Sequence, residues 1–489
     1  MTDLDEALSA DIEITLSKLK ELCGDTDDLN VVRVRIGAVE CAAVSAEGMV
    51  SAAGAGDLIF QPLMYLNACD AHEVADFLWE SSLLSTQRSK VATYRELVDL
   101  MFSGFCIILT DGWDKGVAFG VQGFEKRSVS PPDSEQTVYG PQDSFNETVR
   151  NNISLIRRRL KTPLLKVEII KCAKQSRTDV CIMYMRDRAS ARMVEQIRRR
   201  LKDMGLDTVL SGGYIEPFVD GAYDKSFFPG VTYTQRPDAA CLHLNEGRVC
   251  ILVDGSPFCL VCPGLFSDSF RTMDDMSAKP GYATFIRWLK YFAFILAAAL
   301  PGLYVALVMY HPEAFALKLL LNLYVSEEAT PFPLPVEMTL LVIMFEIMRE
   351  AGIRLPKAVG GAVSIVGGLI IGDAAVKSGL ISVPLLIVVG ITATSAFVIP
   401  RLDRQITLMR IVFIIAASTA GLFGVSLCCI LFTANICAMN DLNVSYLSPL
   451  SPLNKSRVGE VFFRRSFKSY AAGRSTVTDL AENGKEGGK

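Results

Sequence analysis

The one C-x-x-C of the chain, Cys259-Leu-Val-Cys262, has a spacing used by zinc sites and redox motifs. It lacks a second pair, the sequence holds only three histidines (His72, His243, His311), and Pro257 and Pro263 bracket a short strand-like run. Residues three apart on a strand face opposite ways, so the two sulfurs are not expected to share a metal. The thirteen cysteines are odd in number and follow no framework spacing, which fits reduced, buried small residues. Two Asp-Gly pairs, Asp111-Gly112 and Asp254-Gly255, each end an apolar run. They are hairpin signals, because such turns need the positive φ that glycine supplies. Their shared phrase, I-L-x-D-G, leaves two readings open: a duplicated hairpin closing each of two subdomains, or two ordinary turns whose aspartates are turn formers. An enzyme would have to be built on Asp111, Asp254 and Cys259, with no histidine nearby in sequence, no P-loop and no nucleophile elbow. No catalytic residue, metal or cofactor is therefore expected.

A different chemistry is written at residues 335–361, "PVEMTLLVIMFEIMREAGIRLPKAVGG", where Glu337, Glu346, Arg349, Glu350 and Arg354 interrupt apolar residues. Only residues 338–345 are free of charge, about 12 Å of helix, too short to cross a bilayer exposed to lipid. Glu346, Arg349 and Glu350 stand at i, i+3 and i+4 and can neutralise one another on one face, with Glu337 about 180° away. Such a helix belongs inside a bundle or beside water, where intramembrane charge is a functional hypothesis; the rival is an interfacial helix with an ordinary polar face.

Immediately downstream, "AVGGAVSIVGGLIIGDAAV" sets Gly360, Ser364, Gly368 and Gly372 four residues apart, a small-residue row that lets another backbone approach. Val363, Val366 and Ile370 lie on the other side. Two readings stay open here as well. The helix lines a pore, with the small residues crowding subunits together and the three β-branched residues forming a dewetting constriction, or the row packs against a neighbouring span of the same chain.

The elements that carry these residues follow from composition. Of 489 residues half are hydrophobic and 21% charged, with a net charge of −4, so no basic excess points to nucleic acid. A mean hydropathy of +0.32 fits a chain part soluble and part membrane-embedded. "MTDLDEALSADIEITLSKLKEL" has no basic stretch followed by an apolar one, so no secretory signal is expected and the first half should stay in the cytoplasm. From about residue 283 the composition changes. After Lys290 come about 20 uncharged residues, roughly 30 Å of helix, with Pro301 expected to kink it; Arg287 and Lys290 at its start place the soluble half inside. "VPLLIVVGITATSAFVIP" is the next apolar helix, and residues 406–439 form a stretch of roughly 50 Å if straight, longer than a bilayer core. That stretch is either a hairpin bent near Gly421 to Gly424, the preferred reading, or one span with an interfacial extension.

In the soluble half, strand and helix signals alternate, which implies mixed α/β structure. Ser144 and Glu147 have the capping-box spacing, followed by a stripe of Phe145, Val149, Ile153, Ile156 and Leu160. The basic runs at Arg157, Arg158, Arg159 and Lys161 and from Arg198 to Lys202 are expected to be solvated helix faces rather than phosphate or headgroup contacts. The expected organisation is a mixed α/β N-terminal region of two subdomains, residues 1–125 and 144–270, joined by a polar linker at 126–143. An all-α polytopic transmembrane domain at 284–440 and a polar tail at 441–489 follow.

Several phrases carry a family resemblance: "RSVSPPDSE" at residues 127–135, "GPQDSFNETVRNNISLIRRRL" at 140–160, "TQRPD" at 234–238, "VDGSPF" at 253–258, "PFPLPVE" at 331–337, "FEIMREAGIRLP" at 345–356 and "AVSIVGGLIIGDAAV" at 362–376. Together and in order they resemble the A subunits of bacterial spore germinant receptors, the GerA type, and the related stage V AF proteins of spores. Gln235 stands where the family usually has Glu, and Asp274-Asp275-Met276 where it has an Asp-Tyr-Tyr phrase. The resemblance implies a multi-pass protein of the inner spore membrane with a cytoplasmic N-terminal region. It also implies a transporter-like B subunit and a lipoprotein C subunit as partners, and homo-oligomerisation into a nutrient-gated channel for monovalent cations. A non-conducting membrane-tethered scaffold and a stage V AF-like amplifying subunit are the alternatives.

Overall fold

The computed structural model describes residues 2–66, 68–80, 87–123, 132, 135, 137, 140–355, 372–454 and 458–464. In the first part, strands β1 (Leu29–Ile36), β2 (Val39–Ala46), β3 (Arg88–Val91), β4 (Phe105–Thr110) and β5 (Gly116–Gly120) form an antiparallel sheet in the order β1-β2-β4-β5-β3. Alternation with period two buries both faces. Ala42, Val44, Ile107 and Leu109 pack on helix α1 (Ile12–Cys23), while Cys41, Ala43, Ile108 and Val117 pack on α2 (Ala71–Glu80). A third helix, α3 (Tyr94–Met101), joins α1 through Leu97 and Met101.

The second part repeats this plan. Strands β6 (Leu165–Cys172), β7 (Thr178–Met185), β8 (Thr232–Thr234), β9 (Val249–Val253) and β10 (Cys259–Cys262) are antiparallel in the order β6-β7-β9-β10-β8, the same pattern position for position. Helices α4 (Val149–Arg157) and α6 (Pro237–Asn245) cover one face, and α5 (Ala191–Lys202) the other. Cys259 faces the α4 side and Cys262 the α5 side, so the C-x-x-C sulfurs point into different cores.

The two Asp-Gly turns do the same work in both sheets. Asp111 Oδ1 accepts the N–H of Ile12, the first residue of α1 (3.2 Å), and Asp254 Oδ1 accepts that of Val149, the first residue of α4 (3.0 Å). Gly112 and Gly255 then donate to Ala10 and Glu147, in each case the carbonyl two residues before that helix (2.9 and 2.7 Å). Matching strand order and matching turn bonds favour the duplicated hairpin, and they make both aspartates helix caps supplied from a distance. The expected Ser144 capping box is corrected by this: α4 begins at Val149, because the group waiting for its first N–H is Asp254, not a neighbour in sequence.

Arg157 also departs from expectation. It is fully buried rather than solvated, bonded to Asp28 (2.8 and 3.0 Å) and to the carbonyls of Thr162 and Leu165, with its guanidinium 4.3 Å over the Phe102 ring. Asp28 belongs to the first part of the chain, so this pair ties the two sheets together. Arg198 and Arg200 are likewise engaged, on Glu168 and Asp441.

The helical part comprises α7 (Pro280–Tyr310), α8 (Leu317–Glu328), α9 (Leu334–Arg354), α10 (Val383–Phe397) and α11 (Asp403–Ala438). By length and composition the stretches Pro280–Tyr310 and Pro400–Ala438 are long and apolar enough to cross a membrane. Helix α11 is not straight. Gly421 has φ 57° and ψ −141°, a conformation almost confined to glycine, and the chain reverses there. Phe413 and Phe432, which a straight helix would hold roughly 28 Å apart, have ring centroids 5.7 Å apart. A Cβ on Gly424 would lie 2.1 Å from the Ala416 carbonyl oxygen, so the returning arm presses its backbone on the outgoing one. Each arm is then about 27 Å long, close to the thickness of a hydrocarbon core.

These helices bury charge and expose hydrocarbon. Arg287, Lys290, Glu337 and Arg410 are turned in, while Phe292, Ile295, Ile347, Ile387, Phe423 and Ile430 are more than half exposed. In water that arrangement is unfavourable; against lipid it is the expected one.

Candidate functional site

Pro301 sits inside α7 and has no N–H to return to the carbonyl of Ala297 four residues earlier. That carbonyl is taken from outside. Arg410 of α11 donates its Nε to it at 3.0 Å, and its Nη1 to Glu346 of α9 at 2.8 Å. Glu346 in turn holds Arg349 (2.5 Å) and accepts the Thr407 hydroxyl (3.2 Å), and Arg349 reaches on to Asp403. Three helices are thus joined by two arginines and two carboxylates whose charges cancel. The network grades outward, from Arg410 at 1% side-chain exposure to Asp403 at 28%. Two of its donors, Arg410 Nη2 and Arg349 Nε, are shielded from solvent and have no partner among the described residues.

The contact below it is made of small residues. Ala293, Ala297 and Gly302 are small residues of α7, the two alanines buried, and a Cβ on Gly302 would lie 2.7 Å from the Phe413 carbonyl oxygen of α11. Backbones this close leave no room for a bulkier side chain.

Next to Asp403 in sequence, a second set of polar contacts reaches the α/β part of the chain. Arg401, two residues earlier, pairs with Glu135 and donates to the Asp268 carbonyl (3.0 Å). Glu135 also accepts the Thr234 hydroxyl (2.6 Å) and the Gln235 N–H (3.3 Å), and Arg236 braces the same corner through Thr137, the Pro141 carbonyl and Asp238. Asp268 forms a buried pair with Arg248. Burial alone would raise the Asp268 carboxyl, but Arg248 outweighs it and holds it below the usual range; Glu246 is held low in the same way by Arg271 and Arg248 against its own burial. Nearer the membrane half, Asp275 pairs with Arg287 and Lys290 at the start of α7.

The sequence-predicted residues distribute unevenly. Glu346 and Arg349 lie in the network, as neighbours on one helix face. Glu350 does not: it pairs with Arg354, both more than half exposed, while its expected place is taken by Asp403 and Arg410 from another helix. Glu337 is fully buried but apart, accepting the Ser382 N–H. Gly360, Val363, Ser364, Val366, Gly368 and Ile370 lie outside the described residues. Gly372 opens a short helix, and a Cβ there would meet only the Leu386 side chain, at 3.8 Å. Among the described residues no group of three or more His, Cys, Asp or Glu is placed to hold a metal ion.

A profile of the family described as "Bacillus/Clostridium GerA spore germination protein" matches residues 17–475. The chain belongs to the GerA family. Among its relatives, spore germination protein KA of Bacillus subtilis (strain 168) is 33% identical over 465 residues, covering 94% of this chain and 85% of that protein. The uncharacterized membrane protein YfkQ of the same organism is 34% identical, covering 99% of this chain and 94% of its own length. Spore germination protein GerLA of Bacillus cereus is 31% identical over 92% of each chain. The crystal structure of the N-terminal domain of the A subunit of the Bacillus megaterium spore germinant receptor GerK3 is 28% identical, covering 53% of this chain and 98% of that one, with a TM-score of 0.42.

In this GerA chain the phrases that carry the resemblance converge in space. Glu135 ends "RSVSPPDSE", Thr234, Gln235 and Arg236 open "TQRPD", and the two phrases meet at Glu135, which also pairs with Arg401. Sequence reasoning missed Asp28, Glu135, Arg401, Asp403 and Arg410 as partners, since each contact spans more than fifty residues. One signal was available. A proline inside an apolar helix frees a carbonyl, and the lone arginine of a long apolar stretch, Arg410, is a donor in search of one.

Proposed function

We propose that this chain is an A-subunit-type component of a spore germinant receptor, a non-enzymatic, multi-pass protein of the inner spore membrane with its sheets on the cytoplasmic side. On this reading it oligomerises into a nutrient-gated channel for monovalent cations and works beside a transporter-like B subunit and a lipoprotein C subunit. The observation that carries the reading is a pair of polar contacts set two residues apart on one chain segment: Arg401 on Glu135, and Asp403 at the end of the network that runs through Arg349, Glu346 and Arg410 to the Ala297 carbonyl. A scaffold needs no such bridge; a gate driven from the cytoplasmic half does, because buried neutral networks have few alternative arrangements and transmit displacement. The row Gly360, Ser364, Gly368 and Gly372 is assigned to contacts between copies, with Val363, Val366 and Ile370 nearest the ion route.

Purified protein reconstituted in liposomes tests the proposal directly. Cation flux is expected, and Val363→Ala should raise flux without nutrient and make spores leak. Liposomes that pass no ions under any condition would favour the scaffold, and unchanged leak in Val363→Ala would remove that residue from the constriction.

A further inference from the structure

Glu337 has a setting unlike that of the Glu346 network. Its side chain is 0% exposed, and its polar partners among the described residues are the Ser382 N–H and the Thr330 hydroxyl, the latter at 3.5 Å. Neither is a cation. Two helix N-termini converge on it, since Glu337 lies in the first turn of α9 and Ser382 is the N-cap of α10. Both ends carry partial positive charge, which favours a negative group at this point only in part, since neither end is a full charge. Among the described residues no cationic side chain bonds this buried carboxyl group, so a full counter-charge is lacking there.

Oxygen atoms stand ready around it. The Thr330 hydroxyl that reaches Glu337 also bonds the carbonyl of Glu327 (2.9 Å), and Glu327 and Tyr304 are electrostatic neighbours of Glu337. Glu327 Oε1, Tyr304 OH and Ser382 Oγ are all shielded from solvent without a hydrogen-bond partner among the described residues, and Ser382 as a residue is only 3% exposed. Capping of α10 explains why Glu337 meets the Ser382 N–H. It does not explain three oxygens without partners among the described residues on groups that neighbour Glu337, since buried polar groups are rarely left unsatisfied.

We propose that Glu337, Glu327, Ser382, Tyr304 and Thr330 form a binding site for a monovalent alkali cation where α7, the α8–α9 turn and the start of α10 meet. The donors are hard oxygens, as such ions require. Only one carboxylate is fully buried and the rest are hydroxyls or a partly buried carboxylate, a set too weakly charged for calcium, which draws on several carboxylates. The site does not depend on conduction: cation-dependent stability in a protein that passes no ions would sink the channel reading and leave the site standing.

The test is thermal unfolding of the full-length protein in lipid nanodiscs, in potassium, sodium or N-methyl-D-glucamine chloride at equal ionic strength and without nutrient. The midpoint should be several degrees higher in at least one alkali salt and should climb with its concentration, as ligand linkage requires. Glu327→Gln, which leaves the α10 cap in place, should abolish the difference, and Glu337→Gln should do so if it folds. Equal midpoints in all three salts, an undiminished shift in Glu327→Gln, stabilisation by calcium alone, or a midpoint that follows pH and ignores the cation would each overturn the assignment.

Discussion

Arg410→Ala in two backgrounds, native and Pro301→Ala, isolates the bond between the guanidinium and the Ala297 carbonyl. In the native background the substitution removes donors at 3.0 Å from Ala297 and 2.8 Å from Glu346. Glu346 keeps Arg349 at 2.5 Å and Thr407 at 3.2 Å, so its carboxylate is not stranded and the roughly 3–5 kcal/mol of a broken buried pair is an upper bound. The Ala297 carbonyl loses its outside donor, and with no N–H at Pro301 the helix cannot replace it, a loss of about 1–3 kcal/mol. Polar contacts between helices in a bilayer average lower, about 0.6 kcal/mol, so a total near 1–3 kcal/mol is expected. Alanine at 301 restores an N–H to that carbonyl, and Arg410→Ala should then be milder by about 1 kcal/mol. SDS-titration unfolding of the full-length protein in mixed micelles gives the four stabilities of the cycle. A coupling under about 0.5 kcal/mol would mean that Arg410 does not stand in for the donor that proline removes.

Arg157→Ala should destabilise the soluble half by about 3–5 kcal/mol, because it strands Asp28 in the interior; pairing it with Asp28→Leu should recover most of that in thermal melts. Exchanging Glu135 and Arg401 by Glu135→Arg and Arg401→Glu should partly restore nutrient-triggered germination that each single reversal abolishes, and no recovery would separate this contact from gating. Stability of the soluble half should fall with acid. Glu246 and Asp268 are held below their ordinary range, so the stability they contribute is complete above their unfolded values, about pH 4, and is lost as the pH drops through the folded ones. Arg248→Met should flatten that acid limb, and an unchanged limb would refute the pairing as its source.

What could be read from sequence followed distance along the chain. The reversal of α11 was legible because a stretch too long for a bilayer carries glycines at 421 and 424, a local fact about length and backbone freedom. The stripe of Phe145, Val149, Ile153, Ile156 and Leu160 was legible in part for the same reason, since periodicity is local: Val149, Ile153 and Ile156 are buried on α4, whereas Phe145 is buried ahead of the helix and Leu160 lies beyond its end, partly buried. The start of α4 was misplaced because its cap comes from Asp254, and Arg157 was taken for a solvated residue because Asp28 lies 129 positions upstream. Within residues 335–361 the pair Glu346 and Arg349 was found by spacing, whereas Glu350 was added by the same rule and fails. Spacing identifies which groups share a face and says nothing of which face meets α11.

That limit also explains why charge belongs in α9 at all. Against lipid, the isoleucines and leucines of a helix gain little by choosing one apolar neighbour over another, so hydrophobicity cannot fix how α9 is rotated against α7 and α11. Glu346 can, because only one rotation offers it both Arg410 and Thr407. The same groups keep the contact from being permanent. Arg410 Nη2 and Arg349 Nε are buried without partners among the described residues, so a second arrangement that uses them has bonds to gain as it gives up those to Ala297 or Asp403. A displacement of Arg401 by the soluble half acts on Asp403 two residues away, at the exposed end of the network, where breaking a bond is least costly. Motion would then enter at Asp403 and travel inward to Arg410, and a substitution at Asp403 should alter the response to nutrient before it alters the stability of the helices.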